Sequence, residues 1–419
     1  MKVTVYWTAA LMLAIGFSAQ SQDMTGTPTP LATLVSEAQS NNTQLSAAEH
    51  AWKAATHVAV QVTTLPDPQL TLQSFSVGSP KPFAGFSNSD FAYIGFGASQ
   101  QIPYRGKLRL KGEVASRDAD MLQTQAELLR TSIIEQVKLL YLRIAYLDAT
   151  LTILGRNEAV LKPLIETGLS RYRVGQGSQA EVLKAQIEHT KLLRELTMHH
   201  QEMGQLEAEL KELLHRPQTS ADIVPEPLSV TRFERTVQDV QGLIEAHNPT
   251  VAVDTAGVHK QDAQLKSAQR ESRPDFNVGY MFQQTGGGYR DYYVLTFSMN
   301  LPQRKRVNAG IAQAAEALTQ SKQQLDSEVQ QQLAEGQKQY VAVRNTEDLL
   351  KEYREGLLPQ SKAALQAEQA SYESGKQTFA PVLSSLLDEL TFEHDYYQAV
   401  LDHETGLVKL ETLTGAQLR

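Results

Sequence analysis

Residues 171–183 read RYRVGQGSQAEVL, and residues 371–383 read SYESGKQTFAPVL. Tyr172, Gly175, Ala180, Val182 and Leu183 of the first meet Tyr372, Gly375, Ala380, Val382 and Leu383 of the second. Five identities in thirteen positions carry little weight alone, but the segments around each copy correspond as well. Leu243-Ile244-Glu245-Ala246 echoes the stretch from Leu34 to Ala38, and Arg273-Pro274-Asp275 echoes Leu65-Pro66-Asp67. Ile102-Pro103-Tyr104-Arg105 matches Leu301-Pro302-Gln303-Arg304. An internal repeat sets the folding unit. The unit here is half a chain, so the pattern is a two-fold duplication and no solenoid.

Each half has the same order of signals. Leu34, Ala38, Leu45, Ala48, Trp52, Ala55 and Ala59 step mostly by three, four or seven, which predicts a helix from Leu31 to about Val62. Leu65-Pro66-Asp67-Pro68 stops it. The stretches 69–77 and 91–102 then turn rich in Phe, Tyr, Val, Ile and Gly and read as a strand pair. Their alternation is untidy, with Leu70 and Leu72 in one phase and Phe75 and Val77 in the other, as a bulge would produce. Ile133, Val137, Leu140, Ile144, Leu147, Leu151 and Leu154 form a heptad seam. A helix from 107 to 172 would be ~100 Å long, with Gly155, Pro163 and Gly168 as candidate interruptions. The quoted turn follows, and a second helix returns towards His215.

The second half replays this order. Helix is expected over 240–270, then strands at 276–284 and 291–301, where Phe276, Val278, Tyr280 and Phe282 alternate with polar or small residues. Another long helical hairpin follows, with its turn near 371–383. The expected division is therefore a first repeat at 22–215, a proline-bearing linker at 216–235 and a second repeat at 236–419. The first 21 residues carry Lys2, an apolar run and small residues Ala19 and Ser21, the pattern of a secretory signal peptide. The alternative is a buried first helix.

Composition narrows the function. The formal net charge is −8, which gives a nucleic-acid partner no electrostatic support. There are no cysteines, so disulfides, thiolate metal sites and a cysteine nucleophile are excluded. No catalytic fingerprint and no cofactor motif occurs. The adjacent pair His199-His200, with His189 nearby, has poor geometry for one metal, because neighbours on a helix point apart. These histidines, with His394 and His403, read as solvated helix faces. Strands of ~10 residues suit a bilayer crossing with one face to lipid and one to a lumen. The alternative is a soluble β-subdomain. Four strands in one chain cannot close on themselves, so a membrane reading requires several chains to share one barrel.

The ordered set of two helix–hairpin–helix halves resembles the TolC-type outer-membrane efflux family. The strand exits Gln101-Ile102-Pro103-Tyr104-Arg105-Gly106-Lys107 and Asn300-Leu301-Pro302 and the two quoted turns carry the likeness. The resemblance implies a mainly α fold with membrane β: a homotrimer whose long antiparallel helices form an α-helical barrel in the periplasm. Each chain would give four strands to a shared β-barrel in the outer membrane of a Gram-negative-type cell. It implies no enzyme activity and no cofactor. It implies a periplasmic membrane fusion (adaptor) protein and an inner-membrane pump as partners. The wording IPYRGK looks closest to the branch serving heavy-metal resistance-nodulation-division pumps.

Site residues follow from that likeness. Arg171, Tyr172, Gly175, Tyr372 and Gly375 would form the periplasmic tip that docks the adaptor. Family members often carry an acidic residue six positions after the tip glycine, where it can constrict the channel. Glu181 keeps it, Pro381 does not, and Asp388 or Glu389 would have to complete an acidic ring. Arg105, Lys107, Arg304, Lys305 and Arg306 cluster after the strand exits. They fit outer-membrane lipid phosphates, or simply a solvated helix start. Two other functions remain open: the outer-membrane duct of a type I protein secretion system, and a non-conducting periplasmic coiled-coil scaffold.

Overall fold

The computed structural model describes residues 28–86, 89, 91–286 and 290–418. The expected signal peptide at 1–21 lies outside these, as do parts of both hairpin loops. The helix expected from Leu31 to about Val62 is two helices, α1 Leu31–Asn41 and α2 Thr43–Thr63. Asn42 breaks the run. Its Oδ1 accepts the amides of Gln44 and Leu45, while its Nδ2 donates to the carbonyl of Leu213 at 3.0 Å. A side chain that caps one helix and ties down the end of another explains the kink. The second half repeats the device between α5 (Val237–His247) and α6 (Pro249–Arg270). Asn248 Oδ1 accepts from Val251, and its Nδ2 donates to Leu413 O at 2.9 Å.

The long helices are α3 (Lys107–Arg173), α4 (Gln179–Leu213), α7 (Arg304–Glu352), α8 (Leu358–Glu373) and α9 (Phe379–Thr414). α3 runs 67 residues without a break, about 100 Å. Gly155, Pro163 and Gly168 do not interrupt it. An internal proline costs about 3 kcal/mol, but Leu161, Leu164 and Ile165 around Pro163 pack into one apolar cluster with α8 and α9. The partner helix does bend its hydrogen bonding: a π turn, Tyr353–Leu357, separates α7 from α8 just before Pro359. The wider turn makes room for a ring that would collide with a carbonyl four residues back.

Two apolar clusters mark the duplication at the middle of the bundle. One gathers Leu34, Ala38, Leu45, Val137, Ile144 and Leu210; the other gathers Val240, Ile244, Val343, Leu407 and Leu410. The segment between α4 and α5 has no helix or strand and is strapped to α7, α9 and α4. Arg344 donates to the carbonyls of Phe233 and Arg235, and Glu404 accepts from the amide and hydroxyl of Thr231. Lys211, 4% exposed, reaches Asp222 of the strap at 2.8 Å.

The strands are β1 (Gln69–Phe75), β2 (Tyr93–Ile102), β3 (Asp275–Thr285) and β4 (Asp291–Asn300). They form one antiparallel sheet in the order β1-β2-β3-β4, and the β2–β3 pairing joins the two halves. The expected bulge is absent. Pairing runs without a gap from Gln69↔Ser99 to Phe75↔Tyr93. The phase change has another cause: Phe75 lies on the face opposite Leu70 and Leu72, where its ring stacks on Tyr93 at 5.5 Å.

Candidate functional site

The two turns quoted at the outset lie side by side at one end of the bundle. In each, a glycine adopts the left-handed conformation, with φ +76° at Gly175 and +71° at Gly375. The hydrogen bonds are the same in both. Gly175 N donates to Tyr172 O and Gln176 N to Arg171 O; Gly375 N donates to Tyr372 O and Lys376 N to Ser371 O. This 6→1 and 5→2 pair closes a helix on a residue with positive φ, and glycine alone adopts that φ without Cβ strain. Ser178 then caps α4 by accepting from Ala180.

Equal backbones carry unequal side chains. Tyr372 is buried, 3% exposed, whereas Tyr172 is 40% exposed and Val174 69%. Phe379 meets the Tyr372 ring edge-on at 5.6 Å; its counterpart in the first turn is Gln179, which is exposed. Arg171 links the turns. Its guanidinium lies 4.1 Å from the Tyr372 ring centre and donates to the Tyr372 carbonyl at 2.8 Å. A cation over an aromatic face that also satisfies a helix-end carbonyl is a strong cross-brace. Burial pushes the Tyr372 phenol above its usual range; the nearby Arg171 cation opposes this and the Glu181 carboxylate adds to it.

Glu181, Arg171 and Lys376 line a cleft of about 720 Å³ between the two turns. Asp388 and Glu389 do not join Glu181 there within one chain. They lie two turns further along α9, about 10 Å beyond Pro381. Pro381 sits in the first turn of α9, where a missing N–H costs the helix nothing. Phe379 was not singled out in the sequence, although its spacing of seven from Tyr372 across the turn was visible.

The basic cluster lies at the opposite end, where strands meet helices. Arg105, Arg304, Lys305 and Arg306 are exposed there. Lys107 departs from that group: it is 3% exposed, with Nζ 3.0 Å from Asp275 and 3.1 Å from Glu271. Asp275 also accepts the amide of Tyr104 at 2.8 Å, and Arg270 donates to the carbonyl of Arg105 at 2.7 Å while facing the Tyr104 ring. Lys107 thus locks the strand exit to the start of α3 and has no reach to a lipid phosphate.

The histidines also sort differently from the sequence reading. His189 and His199 are each 22% exposed and lie 3.5 Å from Glu158 and Glu202. His403 is no solvated face: it is fully buried, 3.1 Å from Glu404 and 3.7 Å from Glu347. Its position on α9 faces the strap and α7, which a helical wheel of α9 alone does not reveal. Among the described residues, no cluster of three or more His, Asp or Glu could hold a metal ion. Among them, too, no helix is long and apolar enough to cross a membrane.

The family model for outer membrane efflux proteins matches residues 34–215 and 241–416. The chain belongs to the outer membrane efflux protein family. Both matched spans cover one strand hairpin and one tip, so the duplication is a property of the family unit. Solved structures agree on the fold. The outer-membrane channel OprN superposes with a TM-score of 0.78 at 17% identity, covering 92% of this chain and 90% of that one. The outer membrane protein VceC from Vibrio cholerae gives 0.77 at 16% identity, covering 93% and 97%. The open state of the MtrE outer membrane channel of Neisseria gonorrhoeae gives 0.76 at 17% identity, covering 93% and 89%. No curated protein matches the chain. As a member of this family the protein is an outer-membrane efflux protein.

Proposed function

We propose that the protein is the exit duct of a tripartite efflux system, working as a homotrimer in which each chain gives four strands to one twelve-stranded barrel. The observation that carries this is the sheet. Its two outer strands, β1 and β4, pair on one side only, and the apolar side chains of Leu70, Leu72, Leu295 and Phe297 stand 67–76% exposed. An open edge and an apolar face of that size have to be covered, and a closed barrel in lipid covers both.

The tip is the docking end for the periplasmic adaptor. Exposed Tyr172 and Val174, set on rigid glycine turns, offer a small apolar anchor of the kind that dominates protein interfaces. Glu181, and Asp388 and Glu389 higher up, are the carboxylates that would narrow the entrance in the trimer. The pump is of the resistance-nodulation-division type. Its cargo is small molecules or metal ions, and no resident metal is needed. Arg105, Arg304, Lys305 and Arg306 meet phosphates of the outer membrane's inner leaflet.

Purified full-length protein reconstituted in planar bilayers is expected to form long-lived, ohmic conductance steps. A protein that stays in the soluble fraction and gives no steps at any concentration would refute the duct and leave the scaffold reading.

A further inference from the structure

His403 on α9 is fully buried and stands between two carboxylates. Its Nδ1 lies 3.1 Å from Glu404 Oε1 on the same helix, and its Nε2 lies 3.7 Å from Glu347 Oε1 on α7. That Nε2 has no hydrogen-bond partner among the described residues. Both carboxylates fasten the same piece of the strap. Glu404 accepts the Thr231 amide at 2.7 Å and the Thr231 hydroxyl at 2.9 Å. Glu347 accepts from Arg344 at 2.7 Å, and Arg344 donates to the carbonyls of Phe233 at 2.9 Å and Arg235 at 3.0 Å. The imidazole therefore stands between the two fasteners that hold 231–235 against α7 and α9.

Charged groups on the surrounding elements have other partners or lie further off. Beside it on α9, Asp402 is exposed and accepts from Gln398 at 2.8 Å. On the strap, Arg232 and Glu234 are exposed and pair with each other at 2.7 Å. Glu226 lines a cavity of about 120 Å³ that it shares with Glu404. On α5, Asp239 accepts from the Thr236 hydroxyl, and on α3, Lys138 pairs with Glu411, two turns further along α9. The carboxylates beside the ring nitrogens are thus Glu404 and Glu347. A neutral imidazole has one N–H and one lone pair. It can serve one of these carboxylates and must turn its lone pair towards the other. An imidazolium carries an N–H on each nitrogen and can serve both. Burial makes the mismatch of the neutral form costly, because two acceptors then face each other away from solvent.

We propose that His403 is a proton-operated clamp on the strap. With both nitrogens protonated it bonds Glu404 and Glu347 together and holds 231–235 down. On losing one proton to solvent it releases one of the two carboxylates, and this part of the strap opens more readily. The clasped state then binds more protons than the opened one. Its extra stability is present in acid and is lost as pH rises through the range where an imidazole changes charge, about pH 5 to 8. The strap joins the two repeats and is fastened to α4, α7 and α9. The clamp therefore sets how firmly the repeats are tied at the middle of the bundle. The inference stands apart from the duct reading, since it concerns the bundle and not the strands.

Hydrogen exchange of the full-length protein in detergent tests the clamp on peptides covering 230–236. Glu207, at the other end of the strap, is pushed up to about 7 and titrates in the same window. Every protein compared therefore carries Glu207→Gln. Protection, taken relative to the base-catalysed intrinsic rate, should fall about tenfold or more between pH 5 and 8 when His403 is present, the worth of one hydrogen bond to a charged group. His403→Asn keeps a donor towards Glu404 and cannot take a second proton, so its protection should change by under about twofold over the same window. Glu347→Gln removes the charge on the second side while leaving the imidazole in place, and should flatten the slope as well. Protection that does not change with pH when His403 is present would overturn the proposal, as would a slope that persists undiminished in His403→Asn. If His403→Asn does not assemble, Glu347→Gln decides: an undiminished slope there overturns the clamp, and a flattened one supports it.

Discussion

Replacing Lys107 by methionine isolates the joint between barrel and helices. The change keeps the side-chain length and removes the ammonium. Lys107 is 3% exposed and holds two carboxylates, Asp275 at 3.0 Å and Glu271 at 3.1 Å. Deleting one partner of a fully buried pair costs about 3–5 kcal/mol, because the other charge is left without compensation. That figure needs discounting here. Glu271 is 45% exposed and water can replace its partner, so its share falls to the ~0.5 kcal/mol of a surface pair. Asp275, 22% exposed, keeps the Tyr104 amide but loses its charge partner. The sum is about 2 kcal/mol of local stability. Hydrogen exchange of the Tyr104 amide reads it directly, since opening of the joint is what exposes that amide. Exchange should accelerate about 30-fold, at ~1.4 kcal/mol per tenfold. The double variant K107M/D275N should recover more than half of the loss, since only the exposed Glu271 is then left without its charge partner. Unchanged exchange in K107M would refute the reasoning, and so would a double variant as destabilised as the sum of the singles.

Other tests address the strap, the repeat ends and the tip. Glu207 is pushed up to about 7, first by burial and then by Asp222 beside it, while Asp222 is held low, chiefly by its hydrogen bond from Lys211. A carboxyl raised on folding adds stability that is full below its unfolded value and is lost as pH rises through the folded value. Between pH 5 and 8, protection of the strap amides around Asp222, taken relative to the base-catalysed intrinsic exchange rate, should therefore fall as pH rises, and Glu207→Gln should flatten that slope; wild-type protection that does not change in this window would contradict it. Gly415 has φ +61°, and a Cβ there would stand 2.4 Å from the His247 carbonyl. Gly415→Ala should cost about 2 kcal/mol or more in a denaturant melt. Gly310→Ala, in open space within α7, should instead gain about 0.5–1 kcal/mol. At the tip, Arg171→Ala removes the brace on Tyr372 and should increase proteolysis within 374–378, with Arg171→Lys restoring little because it cannot stack and donate at once. Bulky substitution at Gly175 or Gly375 should lower crosslinking to a co-expressed adaptor. Undiminished yield from both would remove the docking role of the turns.

Much of this architecture was legible in the order of residues, because the signals are local and periodic. The heptad seam through Ile133, Val137, Leu140 and Ile144 is set by helical geometry. The alternation at Phe276, Val278, Tyr280 and Phe282 is set by strand geometry. The positive φ at Gly175 and Gly375 follows from a glycine at a helix end. The duplication was visible because corresponding positions kept residue types their backbones need.

What the tertiary structure decided are cases where a partner comes from far along the chain. Lys107 reads as one more cation after a strand, yet Asp275, 168 residues away, arrives beside it and makes it a buried lock. Asn42 and Asn248 read as ordinary helix residues until the carbonyls of Leu213 and Leu413 give their amides a second bond and the helices break there. His403 reads as a helix-face histidine until the strap and α7 close over it. Tyr172 and Tyr372 occupy equal places in the repeat, but one is open and the other is buried beneath Arg171 and beside Phe379. Periodicity determines which face of an element is apolar. Which distant group meets that face is a property of packing, and packing assigned these residues their roles.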